Sequence, residues 1–236
     1  MAESSVHIHE AFEVRRASSD QESMWDGIEF GSPAIMSRWA IYQNHFHTYA
    51  AGDWTVTETQ AGATEALSDA VGGKLLLTNT DTENDVLGMQ LGSEAFLPAA
   101  GKRVYFEIKF QYSEATQMDW LVGLTDTDTG LPTATVSDGI YFVKDDGDTE
   151  IDFGCSSGSS ESIEEGVATA ADATDIILGF KVTGTGLVEY WVNGVKKGQL
   201  TTNIPTTELR LSFAIAAGAA AAETMTVDYV VAAQEL

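Results

Sequence analysis

The sequence predicts an all-β protein, an antiparallel β-sandwich with an irregular N-terminal arm. Three observations predict it. Short runs that alternate apolar and polar residues recur about every 8–12 residues, with turn residues between them. No long helical pattern interrupts that rhythm. Residues 173–200, ATDIILGFKVTGTGLVEYWVNGVKKGQL, read as three successive antiparallel strands broken at TGTG and at Asn193-Gly194. Asn-Gly between two alternating runs is a strong hairpin signal, because both turn residues take positive φ.

Composition narrows the partners. The chain has 236 residues, 44% of them hydrophobic, enough for one large β domain plus an arm. Lys and Arg number 12 against 36 Asp and Glu, a formal net charge of −24. Nucleic-acid phosphates and anionic membrane surfaces are both bound through Lys and Arg, so neither is expected as a partner. The single cysteine, Cys155, excludes an intrachain disulfide framework and a cysteine-cluster metal site. No apolar run approaches the ~20 residues of a membrane helix. The first residues show no basic start followed by an apolar stretch, so no signal peptide is expected.

Residues 1–50 form the expected arm or docking region. VHIHEAFEV suits a short strand, and Arg15-Arg16 is a rare basic pair in an acidic chain, suited to an acidic neighbour. Trp25, Trp39 and Trp54 gather over residues 25–60. PAIMSRWAIYQNHF has helical spacing, with Ile35, Trp39, Tyr42 and Phe46 near one face after Ser32-Pro33, which predicts a short helix. The candidate docking residues are therefore Arg15, Arg16, Trp25 and Trp39. The four histidines form two pairs, His7/His9 and His45/His47. Residues two apart on a strand share a face, so each pair suits either a metal ion or plain solvent exposure.

Residues 51–236 form the expected sandwich domain. WTVTETQ alternates, AGATEALSDAVGG reads as a loop, and KLLLTNT and VLGMQLGS read as strands. VYFEIKFQY is a long strand with Val104, Phe106, Ile108 and Phe110 facing inward and Tyr105, Glu107, Lys109 and Gln111 outward. DWLVGLT leads into the acidic loop TDTDTG, and IYFVK and TEIDF flank a turn at Asp145–Asp148. SSGSSESIEEG reads as an exposed connection. RLSFAIAAG and TMTVDYVVAAQEL complete the series, the latter alternating Met225, Val227 and Tyr229 against Thr226, Asp228 and Val230.

Little catalytic chemistry is legible. Asp145, Asp146, Asp148, Glu150 and Asp152 could supply oxygens to Ca²⁺, but the spacing of an EF-hand loop is absent and Asp-Gly in a hairpin turn explains them locally. No E-x-D-x-E string, phosphate loop, G-x-S-x-G elbow or HExxH occurs. Glu107 and Lys109 read as a charge pair on one strand face. Cys155 has no neighbouring histidine. Tyr141, Tyr190 and Trp191 could stack on sugar rings, although LVEYWVNG puts Tyr190 and Trp191 on opposite faces. No cofactor or metal is expected.

At LGFKVTGTGLVEYWVNGVKKGQLTTNIPTTELRLSFAIAAG and TMTVDYVVAAQEL the chain resembles the C-terminal half of concanavalin-like (laminin-G-like) jelly rolls. Their "v-e-yyvNG" hairpin precedes a Pro-containing connection and a last strand of the form "l.vDYv..aQ". Together with YFEIKFQY and DGIYFVKDDGDTEIDF upstream, the pattern resembles a group of structural proteins of tailed bacteriophages. The likeness covers residues 100–236 well and 50–100 loosely. It implies a non-enzymatic virion component, a cement or decoration protein on the capsid exterior, assembled in the host cytoplasm. Its partner would be the major capsid protein, and it would act as a homo-oligomer, with a trimer favoured and a dimer as the alternative. The alternative it leaves is a lectin-like adhesion module on a head fibre or tail, with Tyr141 and Trp191 as the glycan-stacking residues.

Overall fold

In the computed structural model the described residues are 23–28, 35–126 and 129–236. They form two antiparallel sheets packed face to face. A single helical turn, α1 (Ile35–Arg38), leads into β1 (Trp39–Asn44). The following strands are β2 (Trp54–Glu58), β3 (Thr64–Ser68), β4 (Lys74–Thr78) and β5 (Val86–Leu91). Next come β6 (Arg103–Tyr112) and β7 (Met118–Thr125), each central in its own sheet, followed by β8 (Gly139–Lys144), β9 (Glu150–Ser157) and β10 (Ser160–Thr169). Then come β11 (Ile176–Thr183), β12 (Leu187–Val192), β13 (Val195–Leu200), β14 (Arg210–Ala217) and β15 (Thr224–Glu235).

The eight-stranded sheet runs β13-β12-β11-β6-β15-β4-β3, with β1 also on β15. The seven-stranded sheet runs β10-β9-β8-β7-β14-β5-β2. Period-two patterning decides what faces the space between them. Val104, Phe106, Ile108 and Phe110 are wholly buried there, as their alternation predicts. Phe106 stacks on Phe180 with centroids 5.0 Å apart, Phe153 on Tyr190 at 4.3 Å, and Phe110 meets Trp120 edge-on at 5.1 Å. The three strands expected over 173–200 are β11, β12 and β13, and Asn193 (φ 51°) and Gly194 (φ 76°) make the turn.

Five sequence expectations are corrected. The helix over PAIMSRWAIYQNHF is only α1. Trp39–Asn44 instead pairs residue by residue with Glu235–Val230 of β15. Pairing wins because a strand puts Trp39 on one face of the sheet and Tyr42 on the other, where Tyr42 meets Trp54 edge-on at 6.1 Å. The sandwich thus begins before residue 50, inside the expected arm.

The loop AGATEALSDAVGG contains β3, paired to β4 from Thr64 to Ser68. SSGSSESIEEG is largely β10, an edge strand whose register shifts between Glu164 and Ala168. In β15 a bulge between Val227 and Tyr229 resets the alternation, so Val230 and Ala232 face the core while Tyr229 turns outward.

Candidate docking face

The outer face of the eight-stranded sheet is covered rather than solvated. Across it lie Trp39 and Ile41 of β1, Ala233 and Glu235 of β15, Arg103, Tyr105 and Glu107 of β6, Gly179 and Lys181 of β11, and Glu189 and Trp191 of β12. Residues 23–28 cross this surface as a tight turn, with Asp26 N–H donating to Ser23 O at 3.2 Å and Ile28 N–H to Trp25 O at 3.2 Å. Met24, Ile28, Trp39, Tyr105, Trp191 and Ala233 form one buried apolar cluster, with Trp25, Ile35 and Ile41 packed against it.

Specific contacts fix the segment. Trp25 stacks on Tyr105 with centroids 5.4 Å apart and planes 12° from parallel. Its indole N–H donates to Glu107 Oε2 at 3.1 Å, while Tyr229 OH donates to Glu107 Oε1 at 2.8 Å. The Tyr105 hydroxyl donates to the carbonyl of Asp26 at 2.7 Å. Burial pushes the Tyr105 pKa up, with Arg103 opposing.

Gly179 makes room for Met24: a Cβ there would sit 2.7 Å from the Met24 sulfur. Gly27 (φ 96°) presses its backbone against the Arg103 guanidinium, where any side chain would collide. Arg103 itself lies over the Trp39 ring at 5.1 Å and holds Glu235 in a two-pronged ion pair at 2.9 and 3.2 Å. That pair raises the Arg103 pKa and lowers that of Glu235.

Next to this clamp is a buried charge triad. Glu189 accepts from Lys181 at 2.8 Å and from Lys196, and both ammoniums lie over Trp191 at 5.6 and 5.7 Å. Burial alone would raise the Glu189 pKa, but the two lysines more than offset it and the pKa falls.

Three of the candidate residues, Trp25, Trp39 and Trp191, therefore converge on one face. Trp25 and Trp39, expected to dock on a partner, are used to pack the chain's own segment. Arg15, Arg16, His7 and His9 lie outside the described residues.

Tyr141 sits on the other sheet. Its hydroxyl donates to Glu161 at 2.8 Å, and its ring packs with Leu121, Leu131, Val136 and Ala214. Leu131 and Val136 come from the connection between β7 and β8, which folds over the seven-stranded sheet. Tyr141 is 3% and Trp191 2% exposed, so neither ring offers a face to a sugar. The expected stacking roles fail because both outer faces are covered.

Other expectations resolve locally. Glu107 and Lys109 are not a pair: Glu107 holds Trp25 and Tyr229, and Lys109 binds Asp228 at 2.6 Å and Asp175 at 2.9 Å. His45 and His47 lie 6.0 Å apart with Tyr229 5.5 Å from His45. Among the described residues no group of three or more His, Cys, Asp or Glu is placed to hold a metal. The acidic turn after β8 is a hairpin turn with Gly147 at φ 79°, and Asp146 N–H donates to Asp119 Oδ1 at 2.5 Å.

Tyr105, Glu107 and Met24 were missed as site residues. Tyr105 had a signal, since it is the one aromatic in the outward set of its strand.

No family model and no curated protein matches the sequence. Solved structures do match in fold. A protein of unknown function from Shewanella oneidensis MR-1 superposes with a TM-score of 0.60 at 11% identity, over 100% of this chain and 97% of that one. An endo-1,3-β-glucanase from Streptomyces sioyaensis gives 0.61 at 14% identity, over 86% of this chain and 99% of the enzyme. Arcelin-5, a lectin-like defence protein from Phaseolus vulgaris, gives 0.60 at 10% identity, over 84% and 99%. At such identities the likeness concerns fold alone. The chain is an all-β, concanavalin-like jelly-roll sandwich, a fold it shares with lectin-like proteins and glucanases.

Proposed function

We propose that this chain is a non-enzymatic structural protein of a tailed-phage virion, a decoration protein on the outer surface of the head that binds the major capsid protein and stabilises capsomer contacts. In this reading the sandwich is a rigid scaffold and the N-terminal segment is the part that docks. One observation supports it most: the aromatic clamp around Trp25 and Tyr105 fixes residues 23–28 on the sheet, so Ser23, to which the upstream residues are joined, is held at that face. Upstream lie Arg15 and Arg16, an unusual basic pair in a chain of net charge −24. Such a short basic element suits an acidic patch on a shell, and many weak copies act together through multivalency.

Two measurements test the reading. Quantitative mass spectrometry of purified particles gives the copy number. A number in proportion to the capsomers supports decoration, whereas a handful per particle places the chain in the neck or tail and overturns it. A chain lacking residues 1–22, or carrying Arg15→Glu and Arg16→Glu, is then mixed with shells stripped of the protein. Loss of binding with an unchanged melting temperature is expected. Full occupancy by the truncated chain would show that the segment does not dock. A glycan array on the intact chain examines the lectin-like alternative, which would have to use residues other than Tyr141 and Trp191.

A further inference from the structure

We propose that β3 is a self-association edge through which two copies of this chain pair about a two-fold axis centred on Ala66. This does not depend on the virion reading. It starts from a contrast between the free edges of the sandwich.

An exposed edge strand is a template for another strand, and proteins blunt such edges with bulges and charges. One side of this molecule is blunted in both sheets. Edge strand β10 carries Glu161, Glu164 and Glu165 and is bulged between Glu164 and Ala168. Edge strand β13 carries Lys196 and Lys197 and is bulged opposite Tyr190/Trp191. The opposite side ends in β2 and β3. There β3 pairs with β4 over all five residues with no register shift, and its other edge has no strand partner among the described residues. Leu67 on β3 is 45% exposed, and Val71 in the turn that follows is fully exposed. β2 carries no exposed large apolar residue.

The sequence of β3, TEALS, is self-complementary under a two-fold. Antiparallel pairing centred on Ala66 sets Ala66 against Ala66 of the second copy, with only methyl groups at the axis. It sets Glu65 against Leu67 and Thr64 against Ser68, so no two like charges are opposed. The same register carries Val71 to the turn at Ala61-Gly62 of the second copy. Self-pairing of β10 would instead crowd glutamates, and of β13 lysines. An isologous contact of this kind closes at two copies, so it gives a dimer, the alternative to the trimer that the family resemblance favours. It extends the eight-stranded sheet across the axis. A five-residue edge buries less than a standard stable interface, so the dimer is weak in dilute solution. The −24 charge on each copy opposes it further, and added salt screens that repulsion.

Sedimentation equilibrium on the full chain tests this, at low and raised ionic strength, from micromolar to several hundred micromolar. The expected result is a monomer–dimer equilibrium that tightens with salt. Leu67→Glu, which would face Glu65 of the second copy, and Val71→Asp should each weaken dimerisation at least tenfold with the melting temperature unchanged, whereas Ile163→Lys on β10 should have no effect. A register test needs no folding comparison. Ala66→Cys places two thiols across the axis, and the native Cys155 is buried, so a short bis-maleimide should link Ala66→Cys chains into dimers but not Thr64→Cys chains. A monomer at every concentration, a trimer, a dimer insensitive to Leu67→Glu, or equal crosslinking at both positions would overturn the proposal.

Discussion

Trp25 lies flat on Tyr105, 5.4 Å away and 12° from parallel, and both its ring and the neighbouring backbone are tied to β6 by hydrogen bonds. The six residues around Trp25 have no strand partner among the described residues, and an aromatic ring, a carboxylate and a hydroxyl each hold a different part of the turn. The outer face of a sandwich sheet is usually polar. Here an aromatic sits at Tyr105, and the chain supplies its own cover.

The first prediction concerns that cover. A stacked aromatic pair adds about 0.5–1.5 kcal/mol beyond its buried area, and a typical hydrogen bond about 1 kcal/mol. Trp25→Ala removes the stack and the bond to Glu107, and should release residues 23–28 while the two sheets stay folded. Limited proteolysis should then cut within residues 23–28, and amide exchange there should accelerate, with little change in the melting temperature. Tyr105→Phe keeps the stack and loses the hydroxyl's bonds to Asp26 O and Arg103, so it should give a smaller effect. Equal resistance to protease in wild type and Trp25→Ala would show that the stack is not what holds the segment.

A second prediction comes from the triad beside it. Glu189 is buried between Lys181 and Lys196. Removing one partner of a buried ion pair strands the other charge, at a cost of about 3–5 kcal/mol. Glu189→Ala should lower the urea midpoint by that order with the slope unchanged. The double variant Lys181→Met, Glu189→Leu should recover most of the loss, because it replaces the two buried charges with apolar groups of similar size and leaves only Lys196, whose side chain is 32% exposed and can be hydrated. If Glu189→Ala is neutral, water reaches Lys181 and the triad is effectively a surface feature.

The sequence made the inner half of this architecture legible and left the outer half hidden. Val104, Phe106, Ile108 and Phe110 announced their face because burial on one side of a strand imposes period two. Asn193-Gly194 announced its turn because few other residues tolerate positive φ. Strand β3 was hidden for the converse reason: Thr64, Glu65 and Ala66 lie at an edge, where partial exposure relaxes the pattern. β10 was hidden because Ser160–Glu165 looks like a solvated linker, and its bulge breaks the alternation. Trp39 looked helical because its spacing to Ile35, Tyr42 and Phe46 fits 3.6 and not 2, and only pairing with β15, almost two hundred residues away, overrides that local signal. The clamp depends on contacts between Trp25, Tyr105 and Trp191 that no local pattern encodes.

Cys155 yields a third prediction. It faces the core from β9 with no exposed surface, and burial pushes its thiol pKa up to about 12. The thiolate is the reactive form, so native protein should resist maleimides and aromatic disulfides at neutral pH. Labelling should appear only with global unfolding, at a rate that follows the unfolding rate as denaturant is raised. Rapid labelling of the native chain would mean that the β9–β10 side of the sandwich opens locally.

The fourth prediction is the pH dependence, in which two sets of carboxylates act in opposite senses. Asp119 and Asp145 lie around the acidic turn after β8. Burial raises the pKa of each, and nearby carboxylates add to it: Asp145 and Asp146 for Asp119, Asp152 for Asp145. A raised carboxylate favours the folded state below its ordinary range, and that contribution disappears as pH rises through the folded pKa. At neutral pH both are therefore ionised at a cost. Asp85, Glu189 and Glu235 are lowered. Burial opposes the shift in Asp85 and Glu189 but is outweighed, by bonds from Thr80 and Thr59 to Asp85 and from the lysines to Glu189, while Arg103 leads for Glu235. Their contribution is present above the ordinary carboxylate range and is lost as pH falls through their folded pKa values. The melting temperature should thus rise as pH drops from neutrality toward the ordinary carboxylate range, then fall below it. Relief of the −24 net charge acts in the same direction as the first limb, so the variant Asp119→Asn, Asp145→Asn separates the two. It should melt higher than wild type at pH 7.5 and converge with it near pH 4. A rising limb of unchanged height in that variant would assign the effect to net charge and not to the acidic turn.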